Sequence, residues 1–393
     1  MIEASEVTRI AGKLKYGMVG GGPDAFIGEI HRAAIRMDNL ASLVAGSFSR
    51  DRQKAQRFGG ELGLDSNRVY SSYDEMAQKE ASRPDGIDFV VVVTPNVSHY
   101  SICKVFLQHG IHVVCDKPMT LEYDQAKELA DLADAKGLLF CVTYTYTGYP
   151  AVKQIRQMVL RGEIGDIRFV NAEYAQEWLA TRSEEEGNRQ AAWRTDPAYS
   201  GKSNCVGDIG SHVENMVSTM TGLEISRLSA RLDTFVAGRR LDDNATIMVE
   251  YEGGAKGIYW TSQIAIGSDN GLRVRIIGSE GTIDWCQEDP DHFQLAKLGQ
   301  SMQTWSRGRD AFYAQGQSFS RLPAGHPEGV YEAFANIYKA FISALARKLA
   351  GEKVSESDYD FPSARQGAQG VRFVDICVES SKNLSWCHIP KST

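Results

Sequence analysis

The stretch Leu14-Lys15-Tyr16-Gly17-Met18-Val19-Gly20-Gly21-Gly22 decides how the rest of the chain is read. A short, mostly apolar run ends in three glycines, and the segment from Gly28 through Ile30, Ala33 and Ala34 reads as a helix. The order is strand, glycine turn, helix. Glycines in such a turn allow tight geometry and let a pyrophosphate approach the backbone at the positive end of the helix. Ala25 satisfies the regular glycine spacing, yet Pro23-Asp24-Ala25-Phe26-Ile27 reads as a lengthened loop that leaves Gly28 in the third glycine role. A glycine-rich turn also fits a plain tight turn, so its surroundings decide.

Residues 43–48, 87–93, 111–115 and 138–143 follow as largely apolar strands, with helices expected at 51–58, 97–108 and 121–135. Strands that alternate with helices and are apolar almost throughout imply a doubly wound parallel α/β sheet covered on both faces. Ligands of such sheets bind beyond the carboxyl ends of the strands. Those ends carry Ser49-Arg50, Thr94-Pro95-Asn96 and Asp116-Lys117-Pro118. An acid after the second strand would hold both ribose hydroxyls of NAD, whereas Ser49 and Arg50 suit the 2′-phosphate of NADP, and the choice leans to NADP. Asp51 reads as a helix cap. Lys117 is either a solvated lysine or, at a strand end and followed by proline, a fixed cation. The Lys117-Pro118 bond is a candidate for the cis form. His99 reads as a helix-start or supporting residue, or as a ligand contact.

Gly148-Tyr149-Pro150 marks the exit from this domain, which places domains at 1–146 and 147–393. From residue 167 the pattern turns to alternation, at 169–175, 227–235, 246–251, 256–263, 272–277 and 282–285. The second part is therefore an α+β domain with a large, mostly antiparallel sheet, closed by helices at 334–349 and 364–380. One sheet face is expected to be covered by helices and the other to serve as a subunit contact. The loop 177–204 mixes polar and aromatic residues, with Trp193-Arg194 as candidates for a sugar pocket or simply an ordered surface loop; Tyr144 and Tyr146 are candidates on similar grounds.

Gly207-Asp208-Ile209-Gly210-Ser211-His212 puts an acid and an imidazole four residues apart, on one face if the stretch is helical. Asp208 as a helix cap with His212 half buried is one reading. A metal site is another, but no H-E-x-x-H or clustered-Cys pattern supplies a third ligand. The third is proton transfer beside hydride transfer, since oxidising an alcohol needs a base near neutral pH.

With 42% hydrophobic and 24% charged residues over 393 positions, the composition is that of a soluble globular protein of two domains. A net charge of −7 without a Lys/Arg run argues against nucleic acid as a partner. No apolar run approaches a membrane span, and residues 1–13 lack an export-signal core, which implies a cytoplasmic protein. Seven cysteines without C-x-x-C spacing read as free thiols.

Taken together, the glycine turn with Gly28-Glu29-Ile30-His31, Thr94-Pro95-Asn96 with His99, Asp116-Lys117-Pro118, and the stretch from Gly207 to His212 resemble the Gfo/Idh/MocA oxidoreductases over essentially the whole chain. The family usually has Glu where this chain has Asp116, and a shorter glycine turn. The longer turn and second domain resemble the branch that contains levoglucosan dehydrogenase. The resemblance implies a Rossmann domain followed by a substrate-binding and oligomerisation domain. It also implies NAD(P)-dependent hydride transfer from a secondary hydroxyl of a sugar, anhydrosugar or cyclitol, and no metal. Cofactor contacts are expected at Gly20, Gly22, Phe26, Ile27, Gly28, Ser49, Arg50, Thr94, Pro95, Asn96, His99, Asp116 and Lys117. Substrate contacts are expected at Lys117, Tyr144, Tyr146, Trp193, Arg194, Asp208 and His212, with Lys117, Asp208 and His212 catalytic. A homodimer or homotetramer through the second sheet is expected. Two other functions fit the same residues: an NAD-dependent glycoside hydrolase working by transient oxidation, and a nucleotide-sensing regulator without turnover.

Overall fold

The first sheet of the computed structural model is built from β1 (Leu14–Gly20), β2 (Ala41–Ser47), β3 (Phe89–Val93), β4 (His112–Cys115) and β5 (Phe140–Val142). The strands are all parallel, in the order β2-β1-β3-β4-β5. The structure describes residues 7, 12–23 and 25–390, so most of the N-terminal stretch expected to lack an export signal lies outside the described residues. Strand β3 shows why the sheet forms: Phe89 and four consecutive valines are all buried, as a strand covered on both faces requires. Beyond β2 an isolated parallel bridge, Gly46 to Val69, extends the edge. The order changes direction between β1 and β3, which is where such sheets open a crevice at their carboxyl ends.

Helices α1 (Phe26–Met37), α2 (Arg52–Glu61), α3 (Tyr73–Ser82), α4 (His99–Gln108) and α5 (Tyr123–Ala135) connect the strands. Helix α3 is not among the elements expected from the sequence: its ten residues bury only Met76, Ala77 and Glu80, although Ser72 caps it by accepting from the Glu75 amide at 3.2 Å. A buried polar cluster fixes it instead: Glu80 accepts from Arg68 Nε at 3.0 Å and from Tyr70 Oη at 2.7 Å.

In the second sheet, β6 (Ile167–Ala175), β7 (Ile225–Asp233), β8 (Asn244–Tyr251), β9 (Lys256–Ser262), β10 (Gly271–Gly278), β11 (Gly281–Cys286), β12 (His292–Lys297), β13 (Gln303–Ser306) and β14 (Cys387–His388) take part. Their order is β13-β12-β11-β10-β6-β9-β8-β7-β14, and β6 with β9 is the single parallel pair. Burial alternates along β8 and β9, as the period-two pattern demands. Helix α7 (Ser211–Thr221) packs on β6, on β10 and on α6 (Pro150–Leu160).

The two compact units are Met1–Thr145 with Val330–Ala368, and Tyr146–Gly329 with Gln369–Thr393. The first crossing falls next to the boundary expected near 147, but the chain then returns to the first unit. Helix α8 (Val330–Leu349) does this by aromatic packing: the Phe334 ring lies 4.6 Å from that of His31, and Phe341 lies 5.3 Å from Phe89. Helix α9 (Ala364–Asn383) follows, and its Ser380 and Ser381 accept from the β7 amides of Ala230 and Leu232.

Helix α7 buries a carboxyl group, Glu214, and burial pushes its pKa from the ordinary 4.5 up to about 8. The fold thus favours the protonated acid. This contribution to stability is complete below the ordinary carboxylate range and is lost as the pH rises toward 8. Between pH 5 and 8 the Tm of the wild-type chain is therefore expected to fall more steeply than that of Glu214→Gln. Parallel Tm curves for the two proteins would refute the assignment.

Candidate active site

In the glycine turn Gly20 and Gly21 have φ of 82° and 64°, a region that side chains disfavour. A Cβ on Gly28 would lie 2.4 Å from Gly21 Cα, so the turn and the start of α1 touch backbone to backbone. Arg32 Nη1 donates to Gly21 O at 2.8 Å and fixes this approach. Among the described residues no side chain caps α1. By contrast, Asp51 caps α2 by accepting from the amides of Gln53 and Lys54, and is thereby committed to the helix. An uncapped helix start behind a turn without side chains fits a dinucleotide pyrophosphate. Around it Gly22 and Ile27 are half-buried, Phe26 and Arg50 are exposed, and Ser49 is half-buried.

After β3, Pro95 is exposed and Thr94 and Asn96 are half-buried. His99 departs from its expected place as a cofactor contact. It is fully buried, with Nδ1 2.9 Å from Pro118 O and Nε2 2.8 Å from Thr94 O. Both ring nitrogens are thus spent on the backbone, and His99 ties the turn after β3 to the turn after β4. Asp116 is turned inward too: its Oδ1 accepts from the Lys117 amide and from Thr143 Oγ1, each at 2.9 Å. It shapes the turn that presents half-buried Lys117, whose bond to Pro118 is cis. Behind it lies His31, with Nδ1 2.5 Å from Tyr338 Oη and Nε2 4.0 Å from Asp116 Oδ1. Burial lowers the His31 pKa to about 4, which keeps this ring neutral.

In the second unit the acid and imidazole sit on different kinds of turn. Val206–Gly210 is a π-helical turn that leads into α7, so the spacing of Asp208 and His212 is not that of one continuous α-helix. Asp208 is no helix cap. Its Oδ2 accepts from Arg194 Nε at 3.1 Å and from Gln263 Nε2 at 2.9 Å. The Arg194 guanidinium lies over the rings of Trp193 and Trp178, at 4.2 and 5.4 Å from the centroids.

His212 is buried rather than half buried, with its ring 4.9 Å from that of Tyr146 and 6.1 Å from that of Tyr174. The two tyrosine hydroxyls are 2.7 Å apart, and Tyr174 Oη donates to Asn270 Oδ1 at 2.6 Å. Gln176 Nε2 donates to the same oxygen, and Trp178 Nε1 donates to Gln176 Oε1. Burial raises the Tyr174 pKa well above the ordinary tyrosine value, so its hydroxyl remains neutral. Tyr144, by contrast, is 1% exposed in the core of the first unit, and that burial removes it from the substrate candidates. Sequence reasoning missed Tyr174, Gln176, Trp178, Gln263 and Asn270. The alternation of the first three was the one available signal, since alternate residues of an extended chain share a face. Among the described residues no metal-ligand set of three or more His, Cys, Asp or Glu side chains forms, and no helix is long and apolar enough to cross a membrane.

The class, an oxidoreductase, is given by the family models. Residues 14–144 match the model described as "Oxidoreductase family, NAD-binding Rossmann fold", and residues 152–284 match the GFO/IDH/MocA C-terminal domain. The chain belongs to the Gfo/Idh/MocA oxidoreductase family. An inositol dehydrogenase homolog from Azotobacter vinelandii, solved with NAD+, is 37% identical with a TM-score of 0.94, and the match covers 99% of this chain and 100% of that one. The structure of an inositol dehydrogenase homolog from the same organism with NADH and myo-inositol is 35% identical with a TM-score of 0.90, covering 97% and 99%. Levoglucosan dehydrogenase of Pseudarthrobacter phenanthrenivorans is 26% identical over 96% of this chain and 98% of its own length. The kinship with levoglucosan dehydrogenase expected from the sequence is therefore real but more distant than that with the inositol dehydrogenase homologs.

Proposed function

We propose that the chain is an NAD(P)-dependent dehydrogenase that oxidises a secondary hydroxyl of a cyclitol, sugar or anhydrosugar. The observation that carries this reading is the company His212 keeps. A buried imidazole lies against two tyrosines whose hydroxyls run into Asn270 and Gln176, close in sequence to a carboxylate held by Arg194 and Gln263. A polyhydroxylated substrate offers donors and acceptors to such a set, and its C–H faces suit the indoles of Trp178 and Trp193. The nicotinamide supplies the hydride acceptor when bound. His212 takes the hydroxyl proton, Asp208 accepts from a substrate hydroxyl, and the Lys117 ammonium stabilises the developing alkoxide and shares in the proton transfer. The solved relatives support a cyclitol or a sugar as substrate and NAD as cofactor. The exposed Arg50 beside Ser49 also suits a 2′-phosphate, so turnover with NADP is expected alongside NAD. Free cysteines, with Cys103, Cys115, Cys141, Cys205 and Cys377 buried, fit a cytoplasmic location.

A second copy of the chain is the proposed partner. On the solvent face of the second sheet Phe169, Met248 and Trp260 are exposed on β6, β8 and β9, with Met248 opposite Ile258 and Trp260 opposite both Glu173 and Thr246. These exposed apolar side chains, set among charged neighbours such as Glu173 and Lys256 on an open sheet face, suit self-association. Light scattering on the purified protein is expected to give a dimer or tetramer that Met248→Glu dissociates; a monomer at all concentrations would contradict it.

Activity is tested by following reduced cofactor with myo-inositol, glucose and levoglucosan, with NAD and NADP supplied separately. At least one pair is expected to turn over, and Lys117→Ala and His212→Ala each to lower kcat/KM by about 100-fold or more. Failure to bind either cofactor, or variants as active as the wild type, would sink the reading.

A further inference from the structure

The carboxylate of Asp208 is held by a hydrogen-bond chain whose direction can be read atom by atom. Its far end is the main-chain carbonyl of Asp242, which can only accept. Asn204 Nδ2 donates to that oxygen at 3.2 Å, and this fixes the orientation of the Asn204 amide. The same nitrogen donates at 2.8 Å to Gln263 Oε1, so the Gln263 amide is fixed in turn, with Nε2 directed at Asp208 Oδ2, 2.9 Å away. Asn204 and Gln263 are 2% and 0% exposed, so water does not compete.

The orientation carries a cost: Asn204 Oδ1 is buried without a hydrogen-bond partner. The opposite orientation would set oxygens against the Asp242 carbonyl and Gln263 Oε1. The main chain of Gln263 is pinned as well, its N–H donating to Asp243 O at 2.9 Å and its carbonyl accepting from Leu179 N at 3.0 Å. Residue 263 lies directly after β9, and nothing in its local sequence marks it.

We propose that Gln263 is a positioning residue. Oriented by Asn204, it presents a single N–H to Asp208 and so holds that side chain as an acceptor aimed at the substrate. The proposal rests on the reading of Asp208 as a substrate-facing carboxylate. Because amide and carboxylate meet in a fixed donor-to-acceptor sense, reversing one partner opposes the pair and reversing both restores it. Gln263→Glu sets two carboxylates against each other beside the Arg194 guanidinium, which donates to Asp208 Oδ2 at 3.1 Å and offsets part of their repulsion, and such a pair retains a proton that separate acids would lose.

The test combines stability and turnover in the full chain. Gln263→Glu is expected to lower the Tm more at pH 8 than at pH 5. The double variant Asp208→Asn with Gln263→Glu is expected to regain part of the loss, because an amide at position 208 can donate to the carboxylate introduced at position 263 where the carboxylate of Asp208 could not, while Arg194 Nε, which donates to the same Asp208 Oδ2 at 3.1 Å, loses that acceptor. In steady-state kinetics Gln263→Glu should move the acid limb of kcat/KM upward by about one pH unit or more. Its affinity for NADH should stay within about twofold of wild type, since Gln263 is not among the residues assigned to the cofactor. A Tm loss that is equal at both pH values and not regained by the double variant would overturn the proposal, as would an acid limb superimposable on that of the wild type. A wild-type chain that binds NADH but oxidises no polyol, with the stability coupling intact, would instead sink the dehydrogenase reading and leave the Gln263–Asp208 contact standing.

Discussion

The side chain of Asp242 is shut away from water, and burial raises its pKa. What compensates it is local and complete: Ser203 Oγ, the amide of Asn204 and the amide of Val206 all donate to its two oxygens at 3.0 Å. An isolated buried carboxylate is costly, whereas one that accepts several amide and hydroxyl hydrogens is a strong anchor. The residues it gathers are those that open the π-helical turn, and its own carbonyl accepts from the Cys205 amide. Asp208 leaves the main chain where it does because this anchor fixes the turn before it. His212 follows because α7 starts from that turn.

In the first unit the constraint is to hold the glycine turn and the Lys117 turn in place without flexible supports. The glycine turn keeps side chains out, and Arg32 holds its backbone. Lys117 stands on a turn fixed from three directions: Asp116 accepts from its amide, Thr143 donates to Asp116, and His99 spans from Pro118 to Thr94. The family motif residues in this unit therefore divide into those left accessible, such as Lys117 and Asn96, and those committed to holding them, Asp116 and His99. Both kinds are needed, since a catalytic group displaced by about 1 Å can lose two orders of magnitude in rate.

How much of this was legible in the sequence follows from where each interaction lies along the chain. The valine run of β3, the glycine turn and the alternation of β8 and β9 are local patterns and were read as such. Arg194 was singled out because it adjoins Trp193, and its guanidinium meets Asp208. Of the two readings of His99, the geometry fits the supporting one, since both ring nitrogens meet carbonyl oxygens, which no sequence motif displays. Gln263 acts on a residue 55 positions earlier, and Asn270 on one 96 positions earlier, as ordinary polar residues at the end of a strand and in a loop. The π-helical turn escaped because four-residue spacing is read as α-helical by default. The return of α8 to the first unit escaped because its partners, His31 and Phe89, lie far earlier in otherwise self-contained patterns; the contact of Tyr338 with His31 spans 307 positions.

On the proposed function, a hydride leaves a carbinol carbon of a polyol and reaches the nicotinamide while the chain's own residues manage the proton. The most direct measurement supplies polyols deuterated at their carbinol carbons, with unlabelled cofactor in ordinary water, and locates the label by NMR of the reduced cofactor. The account predicts deuterium at C4 of the dihydronicotinamide, on one face only. Reduced cofactor without deuterium, or deuterium lost to water, would contradict it.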